Sequence, residues 1–227
     1  MLVIIQARYN SERLPGKVLK VLSNETILSR TINRISKSRK VSSITVATSV
    51  QNFDDPIEVH AKTLGVDVFR GDLEDVGWRL LTAAKSQNSK SFIRISADSP
   101  FIDWRILDHA INIFNISNPD LVTNIFPRTF PKGQSIEIIK TNALAKICCK
   151  SRTFHEKEHV TPYFYNHYQQ FNLVSFTSGQ DYSSSNHCID TQEDFNLSEK
   201  LIDQHHFVDQ KWQELDQLLI QNKKRLM

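Results

Sequence analysis

Short apolar runs alternate with amphipathic stretches through the first half of the chain. Runs rich in apolar and β-branched residues predict strands over residues 2–7, 43–48, 66–69 and 91–96. Between them, apolar residues recur at helical spacing and predict helices over residues 26–35, 54–64, 75–85 and 104–114. Asn24 is expected to cap the first helix and Gly65 to end the second. This alternation predicts an α/β fold with a mostly parallel, Rossmann-like sheet and helices on both faces.

The regular alternation ends near Leu121, and the second half of the chain has a different pattern. It predicts strands over residues 121–125, 134–139 and 173–176, a helix over 142–149, and one or two amphipathic helices over 196–222. We interpret residues 126–170 as an excursion from the sheet that serves acceptor binding or self-association. The basic run 223–225 is expected to complement the dipole at the end of the last helix. A chain of 227 residues fits a single domain over 1–227.

The composition narrows the class of protein. A hydrophobic content of 40% and a charged content of 23% are typical of a globular protein, and a net charge of +3 is too small to indicate a nucleic-acid or membrane partner. No apolar run approaches the roughly 18–20 residues of a transmembrane helix, and residues 1–5 do not have the pattern of a signal peptide. Three cysteines, two of them adjacent, favour reduced thiols over a disulfide framework. We therefore expect a cytoplasmic protein.

The loop after the first predicted strand is rich in groups that bind anions. It holds three cations, a hydroxyl and a glycine: Arg8, Ser11, Arg13, Gly16 and Lys17. Ligands of open α/β sheets bind beyond the carboxyl ends of the strands, so this loop is placed to bind a polyanion such as a nucleoside triphosphate. It is not a Walker A motif, because the order of glycines and the Lys-Ser/Thr pair is absent. The alternative is that these cations are simply solvated.

Two further segments carry carboxylates where a metal could bind. Asp98 follows the predicted strand 91–96 and precedes Pro100, which ends the strand; there it could hold Mg²⁺ against phosphate oxygens. Either Asp98 or Asp103 could instead cap the next helix; we favour capping for Asp103 and metal binding for Asp98. Asp190 could supply a second carboxylate, or could be one of several acids at the start of a helix. Spacing alone does not separate these two roles.

The sequence His155-Glu-Lys-Glu-His159 matches the H-E-x-x-H pattern of zinc proteases. That pattern requires a stable helix that places both histidines on one face, together with a third ligand. Pro162 follows within a turn, and the residue before a proline is biased away from helix. We therefore interpret these histidines as serving a loop or a subunit contact, not a zinc centre.

Short motifs in a fixed order extend over nearly the whole chain. The most specific is Gln6-Ala-Arg8-x-x-Ser11-x-Arg13-Leu-Pro-Gly16-Lys17-Val-Leu; the others are Val46–Ser49, Phe69–Val76, Arg94–Asp103, Arg128–Glu137, Glu158–Tyr163 and Ile189–Phe195. Together they resemble the cytidylyltransferases that activate sugar acids. The resemblance is closest to the spore coat polysaccharide biosynthesis protein F type, and more distant to the CMP-ketodeoxyoctonate and CMP-sialic acid synthetases.

This resemblance implies a nucleotide-diphospho-sugar transferase-like fold, a homodimer, and a Mg²⁺-dependent transfer of CMP from CTP to a sugar or sugar-acid hydroxyl. The implied nucleotide-binding residues are Ala7, Arg8, Ser11, Arg13, Lys17, Arg70, Gly71 and Asp72. The implied acceptor-binding residues are Gln134, Glu137 and His159, and the implied metal ligands are Asp98 and Asp190. Arg13, Lys17 and Asp98 are the implied catalytic residues.

The chain also departs from the pattern that it resembles. Ser135 stands where the family often has a carboxylate beside the acceptor, which leaves the identity of the acceptor open. Two other functions are compatible with the residues alone. One is a glycosyltransferase of related fold that uses a nucleotide-sugar donor, although Asp98-Ser-Pro lacks the second acid of an Asp-x-Asp motif. The other is a nucleotide-binding module without activity.

Overall fold

A seven-stranded sheet runs through the protein, whose computed structural model describes residues 1–205 and 209–225, with side chains through residue 221. The strands are β1 (Leu2–Gln6), β2 (Val21–Leu22), β3 (Glu25–Thr26), β4 (Ser43–Ser49), β5 (Asp67–Gly71), β6 (Ser91–Ser96), β7 (Leu121–Thr123), β8 (Glu137–Lys140) and β9 (Leu173–Ser175). The sheet has the order β5-β4-β1-β6-β8-β7-β9, and β2 and β3 form a separate hairpin. In the sheet only β8 runs antiparallel to its neighbours. The mostly parallel sheet predicted from the sequence is therefore confirmed.

Nine helices are present within the described residues. They are α1 (Ile27–Ile35), α2 (Asp55–Thr63), α3 (Val76–Ser86), α4 (Trp104–Ser117), α5 (Thr141–Cys148), α6 (Phe154–His159), α7 (Pro162–Asn166), α8 (Gln192–His205) and α9 (Trp212–Arg225). None of these helices has both the length and the apolar character that crossing a membrane requires.

Alternation along β1 divides the core between the two faces of the sheet. Val3 and Ile5 point to one face, where they pack in a cluster with apolar residues of α1, α2 and α4. Leu2 and Ile4 point to the other face, under α3, α5 and Phe164 of α7. Because both faces of β1 are covered, the strand is apolar throughout its first four positions, as the pattern of the sequence indicated.

A third apolar cluster lies beside the sheet and holds the loops at its edge. It brings Leu14 of the loop after β1 together with Phe101, Ile189 and residues of α8 and α9. Leu14 is 7% exposed and Ile189 is fully buried. The cluster therefore fixes the loop after β1 against the segment that precedes α8.

Successive strands are placed first on one side of β1 and then on the other. From β1 the chain moves outward through β4 to β5, and it then returns to place β6 on the other side of β1. Such a reversal leaves a crevice between the loops that follow the two strands, and ligands of open α/β sheets bind there. The loop after β1 and the Ala97–Pro100 turn after β6 meet at this point.

One local prediction, the cap of α1, needs correction, and two others are confirmed. Asn24 does not cap α1, because residues 23–24 form the turn between β2 and β3; the cap is Thr26, whose Oγ1 accepts a hydrogen bond from the Ser29 amide. Asp103 does cap α4, as expected. The helical stretch predicted over 196–222 is two helices, α8 and α9; residues 206–208, and the side chains of the basic run 223–225, lie outside the described residues.

At Gly133 the segment after β7 packs closely against the backbone of the segment that precedes α8. Its φ is +90°, and a Cβ there would lie 2.7 Å from the carbonyl carbon of His187. Gly65 has a similar φ of +70° but open space around it. We expect Gly65→Ala to cost about 1–2 kcal/mol of unfolding free energy, and Gly133→Ala to cost at least about 2 kcal/mol more because the backbone must move.

Urea denaturation of the two variants measures this difference. Equal losses of unfolding free energy in the two variants would show that the close approach at Gly133 adds no cost when a Cβ is introduced.

Candidate active site

The loop after β1 closes on itself around Tyr9. The Tyr9 carbonyl accepts hydrogen bonds from the amides of Ser11, at 2.9 Å, and Gly16, at 2.8 Å. Gly16 has a φ of +68°, and a Cβ there would lie 2.9 Å from the Tyr9 ring. Glycine therefore allows the ring to pack against the backbone, and the chain turns so that Lys17 follows at the start of a short 3₁₀ helix.

Asp54 fastens this loop to the end of β4. Its side chain is fully buried and accepts hydrogen bonds from the Tyr9 amide at 2.7 Å, the Ser49 amide at 3.1 Å and the Ser49 hydroxyl at 2.5 Å. Three donors satisfy a carboxylate that would otherwise be costly to bury. The loop after β1 thus has a rigid attachment on one side.

Lys17 lies between the two predicted metal ligands. Its Nζ is 2.7 Å from Oδ2 of Asp98 and 2.7 Å from Oδ1 of Asp190, and Nη2 of Arg13 lies 3.0 Å from Oδ2 of Asp190. Burial lowers the pKa of Lys17, but the charges and hydrogen bonds of the two carboxylates outweigh it and raise the pKa. Burial likewise raises the pKa of Asp190, while Lys17 and Arg13 outweigh it and lower that pKa. The lysine is a cation and Asp190 a carboxylate.

The backbone holds the two acids beside each other. The Ile189 amide donates to the Asp98 carbonyl at 3.0 Å, which joins the turn after β6 to the segment before α8. Asp194 then fixes the turn that carries Asp190: its Oδ2 accepts from the amides of Asp190, at 3.0 Å, and Thr191, at 2.9 Å. The sequence left the role of the acids in this segment open, and the structure divides them: Asp194 shapes the turn, and Asp190 faces Lys17.

The arrangement fits a divalent cation that is bound together with phosphate. Magnesium sites commonly use one or two carboxylates and complete their coordination with phosphate oxygens and water. Asp98 and Asp190 present oxygens to the same point, and their side chains keep 20% and 25% of their surface exposed. Within residues 1–205 and 209–225, no group of three or more His, Cys, Asp and Glu side chains is placed to hold a metal alone. Ligands from a bound nucleotide would therefore be needed.

A second polar group lies beside this cluster, on the same edge of the sheet. Arg94 of β6 donates from Nε to Gln6 at 2.8 Å and from Nη1 to Glu137 of β8 at 2.5 Å. The other oxygen of Glu137 accepts from the Tyr165 hydroxyl at 2.6 Å, and Tyr165 also contacts Thr123 at 2.9 Å. Burial, and then the charge of Glu137, raise the pKa of Tyr165 far above its ordinary value, so the phenol remains a donor.

The H-E-x-x-H segment does form a helix, and the expectation that it would not was wrong. Thr153 and Glu156 form a capping box at the start of α6, a signal that the sequence contained. The helix ends at His159 because Val160 has a φ of +69° and Pro162 begins α7. His155 and His159 lie with their ring centroids 4.5 Å apart.

His159 lies among the charged groups of this edge. Burial lowers its pKa, Glu158 opposes the shift, and the nearby cations of Arg94 and Arg8 add to it. Arg8 pairs with Glu158 at 3.1 Å, although 53% of the arginine side chain is exposed. The structure thus brings His159 and Glu137 to one area, next to the loop after β1.

Gln134 does not join them. It is fully buried, and its side chain accepts from the Asp103 amide at 2.9 Å and donates to the Phe101 carbonyl at 2.8 Å. His187 provides a further contact at 3.2 Å. The turn at Gly133 directs this side chain inward, where it holds the start of α4. The structure thus engages the Gln134 amide within the protein, and the contact with an acceptor that the resemblance implied stays a prediction.

Arg70, Gly71 and Asp72 lie at the carboxyl end of β5, as predicted, but their polar groups are engaged. Arg70 donates to the carbonyls of Ser49 and Gln51, at 2.8 Å each, and to Asp55 and Glu58 at 2.5 and 2.9 Å. The Asp72 carboxylate accepts from the amides of the next turn at 2.8 Å. These residues shape the end of the strand, and their contact with a nucleotide stays a prediction.

The chain is similar to known proteins over most of its length. A family model described as "Cytidylyltransferase" matches residues 2–224. The structure of a cytidylyltransferase from Leptospira borgpetersenii is 33% identical and superimposes with a TM-score of 0.91, over 98% of this chain and 95% of that one. The spore coat polysaccharide biosynthesis protein SpsF of Bacillus subtilis is 30% identical over 202 residues, which are 86% of this chain and 83% of SpsF.

A more distant structure shares the fold. It is a CMP:2-keto-3-deoxy-manno-octonic acid synthetase in complex with CTP, 16% identical, with a TM-score of 0.70 over 90% of this chain and 99% of that one. The nucleotide-diphospho-sugar transferase-like fold expected from the sequence is confirmed by these similarities.

The anchor at Asp54 can be tested directly. In Asp54→Ala the Tyr9 and Ser49 donors lose their buried acceptor, at about 1–3 kcal/mol for each unsatisfied group, so we expect a loss of at least about 2 kcal/mol in unfolding free energy. The amides of residues 9–16 should also exchange hydrogen faster. Ser49→Ala, which removes one of the three hydrogen bonds, is the matched control and should cost about 1 kcal/mol. Unchanged exchange of the loop in Asp54→Ala would contradict the anchoring role.

Proposed function

The chain belongs to the cytidylyltransferase family, and on this basis we propose that it transfers CMP from CTP to a hydroxyl of a sugar or sugar acid, with release of pyrophosphate, for surface polysaccharide biosynthesis. The observation that carries the proposal is the cluster of Lys17, Asp98 and Asp190 in the crevice between β1 and β6. The similarity to SpsF supports the role in polysaccharide synthesis, and the CTP-bound relative of the same fold supports CTP. The family assignment favours nucleotidyl transfer over the glycosyltransferase and non-catalytic alternatives.

In this reaction an acceptor oxygen attacks the α-phosphorus of CTP in line. A new bond forms from that oxygen to phosphorus, the bond from the α-phosphorus to the bridging oxygen breaks, and the hydroxyl proton is lost to solvent. Negative charge grows on the leaving pyrophosphate, so the protein contributes mainly by positioning and by neutralising charge. Lys17 and Arg13 are the cations placed to do so. Arg8 and Ser11 would donate to further phosphate oxygens, and Ala7, whose amide donates to the Ala47 carbonyl at 3.1 Å, would border the nucleotide.

Asp98 and Asp190 would hold Mg²⁺. Bound there with the nucleotide, the ion would supply positive charge that favours attack on the α-phosphate. Lys17 now satisfies both carboxylates, and the triphosphate gives the ammonium a new partner. The protein would therefore exchange one set of ion pairs for another: in the nucleotide complex Lys17 would bind phosphate, and Asp98 and Asp190 would hold the metal.

The remaining assignments follow from position. Arg70, Gly71 and Asp72 would border the cytosine and ribose from the end of β5, and Glu137 and His159 would face the acceptor. Residues 126–170 are proposed to serve the acceptor and a homodimer contact, which rests on the resemblance. A cytosolic supply of CTP and the three cysteines, which are unpaired in the structure, support a cytoplasmic location.

Substitution of the central residues tests the proposed reaction. With CTP, Mg²⁺ and a panel of sugar acids and neutral sugars, we expect the wild-type protein to release pyrophosphate. Lys17→Ala and Asp98→Asn should reduce the rate about a hundredfold or more, because each removes a charge at the reacting phosphates, with the circular dichroism spectrum unchanged. Lys20→Ala removes a nearby cation that lies over the Phe195 ring, and should keep most of the activity. Near-normal release by Lys17→Ala or Asp98→Asn would refute the assignment.

Mn²⁺ binding tests the exchange of ion pairs at Lys17. Because the ammonium occupies the position between the two acids, we expect wild-type protein to bind Mn²⁺ at least tenfold more tightly when CTP is present, measured by electron paramagnetic resonance and corrected for chelation by free CTP. Lys17→Met frees both carboxylates and should bind Mn²⁺ without nucleotide. If the wild-type affinity were independent of CTP, Lys17 would not control access to the acids.

A further inference from the structure

One face of the sheet changes from apolar to polar along its length. On the face covered by α3, α5 and α7, Leu2 and Ile4 of β1 lie in the core, while Gln6, the next residue on that face, contacts Arg94. On β6, Phe92 is in the core and Arg94, two residues further, is polar. The Gln6 and Arg94 side chains therefore form the polar end of this face, at the carboxyl end of β1, where the loop after β1 begins. This polar end, with Glu137, Tyr165 and Phe126, is called the cleft below.

The register of the sheet places Glu137 in this cleft. Arg94 and Glu137 are directly opposite each other in the antiparallel pair β6–β8, and Thr123 of β7 is opposite Glu137 in turn. Cross-strand partners point to the same face, so the ion pair is built into the strand pairing and does not depend on a flexible loop. Arg94 and Glu137 retain 14% and 3% of their side-chain surface, respectively.

A buried ion pair of this kind is a poor way to stabilise a core. Removing two charges from water costs several kcal/mol for each ion, and apolar residues of similar size often serve stability as well or better. Here both oxygens of Glu137 are engaged, by Arg94 and Tyr165, whereas Arg94 uses Nε and Nη1. Among the described residues no hydrogen-bond partner is found for Nη2 of Arg94. Nη2 is not among the buried polar atoms that lack a partner, so it can donate to solvent or to a ligand.

The surroundings of Arg94 indicate the chemistry of that ligand. Glu137 neutralises Arg94 at 2.5 Å, so this arginine brings no unpaired positive charge to the cleft. Phe126, 42% exposed, stacks on the Tyr165 ring with centroids 4.8 Å apart, and adds an apolar wall. An apolar wall beside a neutralised polar pair suits a polyhydroxylated ring more than a free carboxylate.

We propose that Arg94 is an acceptor-binding residue that donates a hydrogen bond to a hydroxyl of the acceptor sugar, with Gln6 and Glu137 as the positioning residues that fix its guanidinium. This inference rests on the proposed function, because it assumes that the cleft takes the acceptor while the loop after β1 takes the triphosphate. It assigns recognition of a neutral hydroxyl to the cleft. A carboxylate on the acceptor, if there is one, binds elsewhere.

The experiment compares acceptor and CTP kinetics in the same protein. Pyrophosphate release is measured with CTP, Mg²⁺ and 3-deoxy-manno-octulosonate, N-acetylneuraminate, the methyl esters of both, and neutral N-acetylglucosamine. The best of these acceptors is then used with Arg94→Gln, Arg94→Lys and Tyr165→Phe. Arg30→Gln is the matched control, because Arg30 is also a buried arginine, 3.2 Å from Glu25, outside the cleft. Calorimetry gives the CTP affinity of each variant.

We expect Arg94→Gln to raise the KM for the acceptor at least tenfold, with the KM and the affinity for CTP within twofold of wild type. Arg94→Lys should restore part of the loss, and Tyr165→Phe, which frees one oxygen of Glu137 without touching Arg94, should lose less. Arg30→Gln should leave both KM values unchanged even where it lowers the melting temperature. If Arg94→Gln fails to fold, Arg94→Lys and Tyr165→Phe carry the test.

An acid and its methyl ester separate the two possible contacts. If Arg94 binds a hydroxyl, Arg94→Gln weakens both by the same factor. If it binds the carboxylate, the preference for the acid over the ester disappears in Arg94→Gln, which would overturn the proposal. An unchanged acceptor KM, or an equal rise in the KM for CTP, would also overturn it while leaving the proposed function intact. Release with none of the five acceptors would count against the proposed function and this inference together.

Discussion

The ion pairs that Lys17 makes with Asp98 and Asp190 are the interaction on which the organisation of the candidate active site depends. They join residues that are 81 and 173 positions apart in the sequence. Two carboxylates held close together repel each other unless a cation neutralises them. Keeping Asp98 and Asp190 side by side therefore requires both packing that holds their segments together and a positive charge between them. The buried cluster around Leu14 and Ile189 supplies the packing, and the ammonium supplies the charge.

The same ion pairs concentrate cations at a site where a ligand with many negative charges could bind. In the structure each acid is neutralised by cations from the loop after β1, and these cations are the groups that a triphosphate would attract. A ligand that brings both phosphates and a divalent ion can satisfy all members of the cluster again, whereas a divalent ion alone would be placed beside Lys17 and Arg13. Charge balance therefore favours joint binding of nucleotide and metal.

The sequence predicted the parts of this site that depend on residues close together in the chain. A buried strand followed by a loop with cations and a glycine is visible within twenty residues, and Asp98 follows its own strand in the same way. The roles of Gln134 and Arg70 could not be read from the sequence. Gln134 points inward because Gly133 has a positive φ and packs against the backbone of His187, a contact over more than fifty positions. Arg70 is engaged by Asp55 and Glu58, which also lie on a different element.

Strand direction explains why the Arg94 contact was not evident before the structure. The sequence predicted strands near residues 121–125 and 134–139 but not their direction, and a parallel β8 would not have placed Glu137 opposite Arg94. A shift of one residue in the register would have moved Glu137 to the opposite face, into the apolar cluster under α4. The direction of β8 and its register with β6 together fix the Arg94–Glu137 ion pair. The fold therefore imposes the desolvation cost of this ion pair. A cost of this kind, beside the cluster of Lys17, Asp98 and Asp190, is understandable when the ion pair binds a ligand, and the proposed ligand is the acceptor.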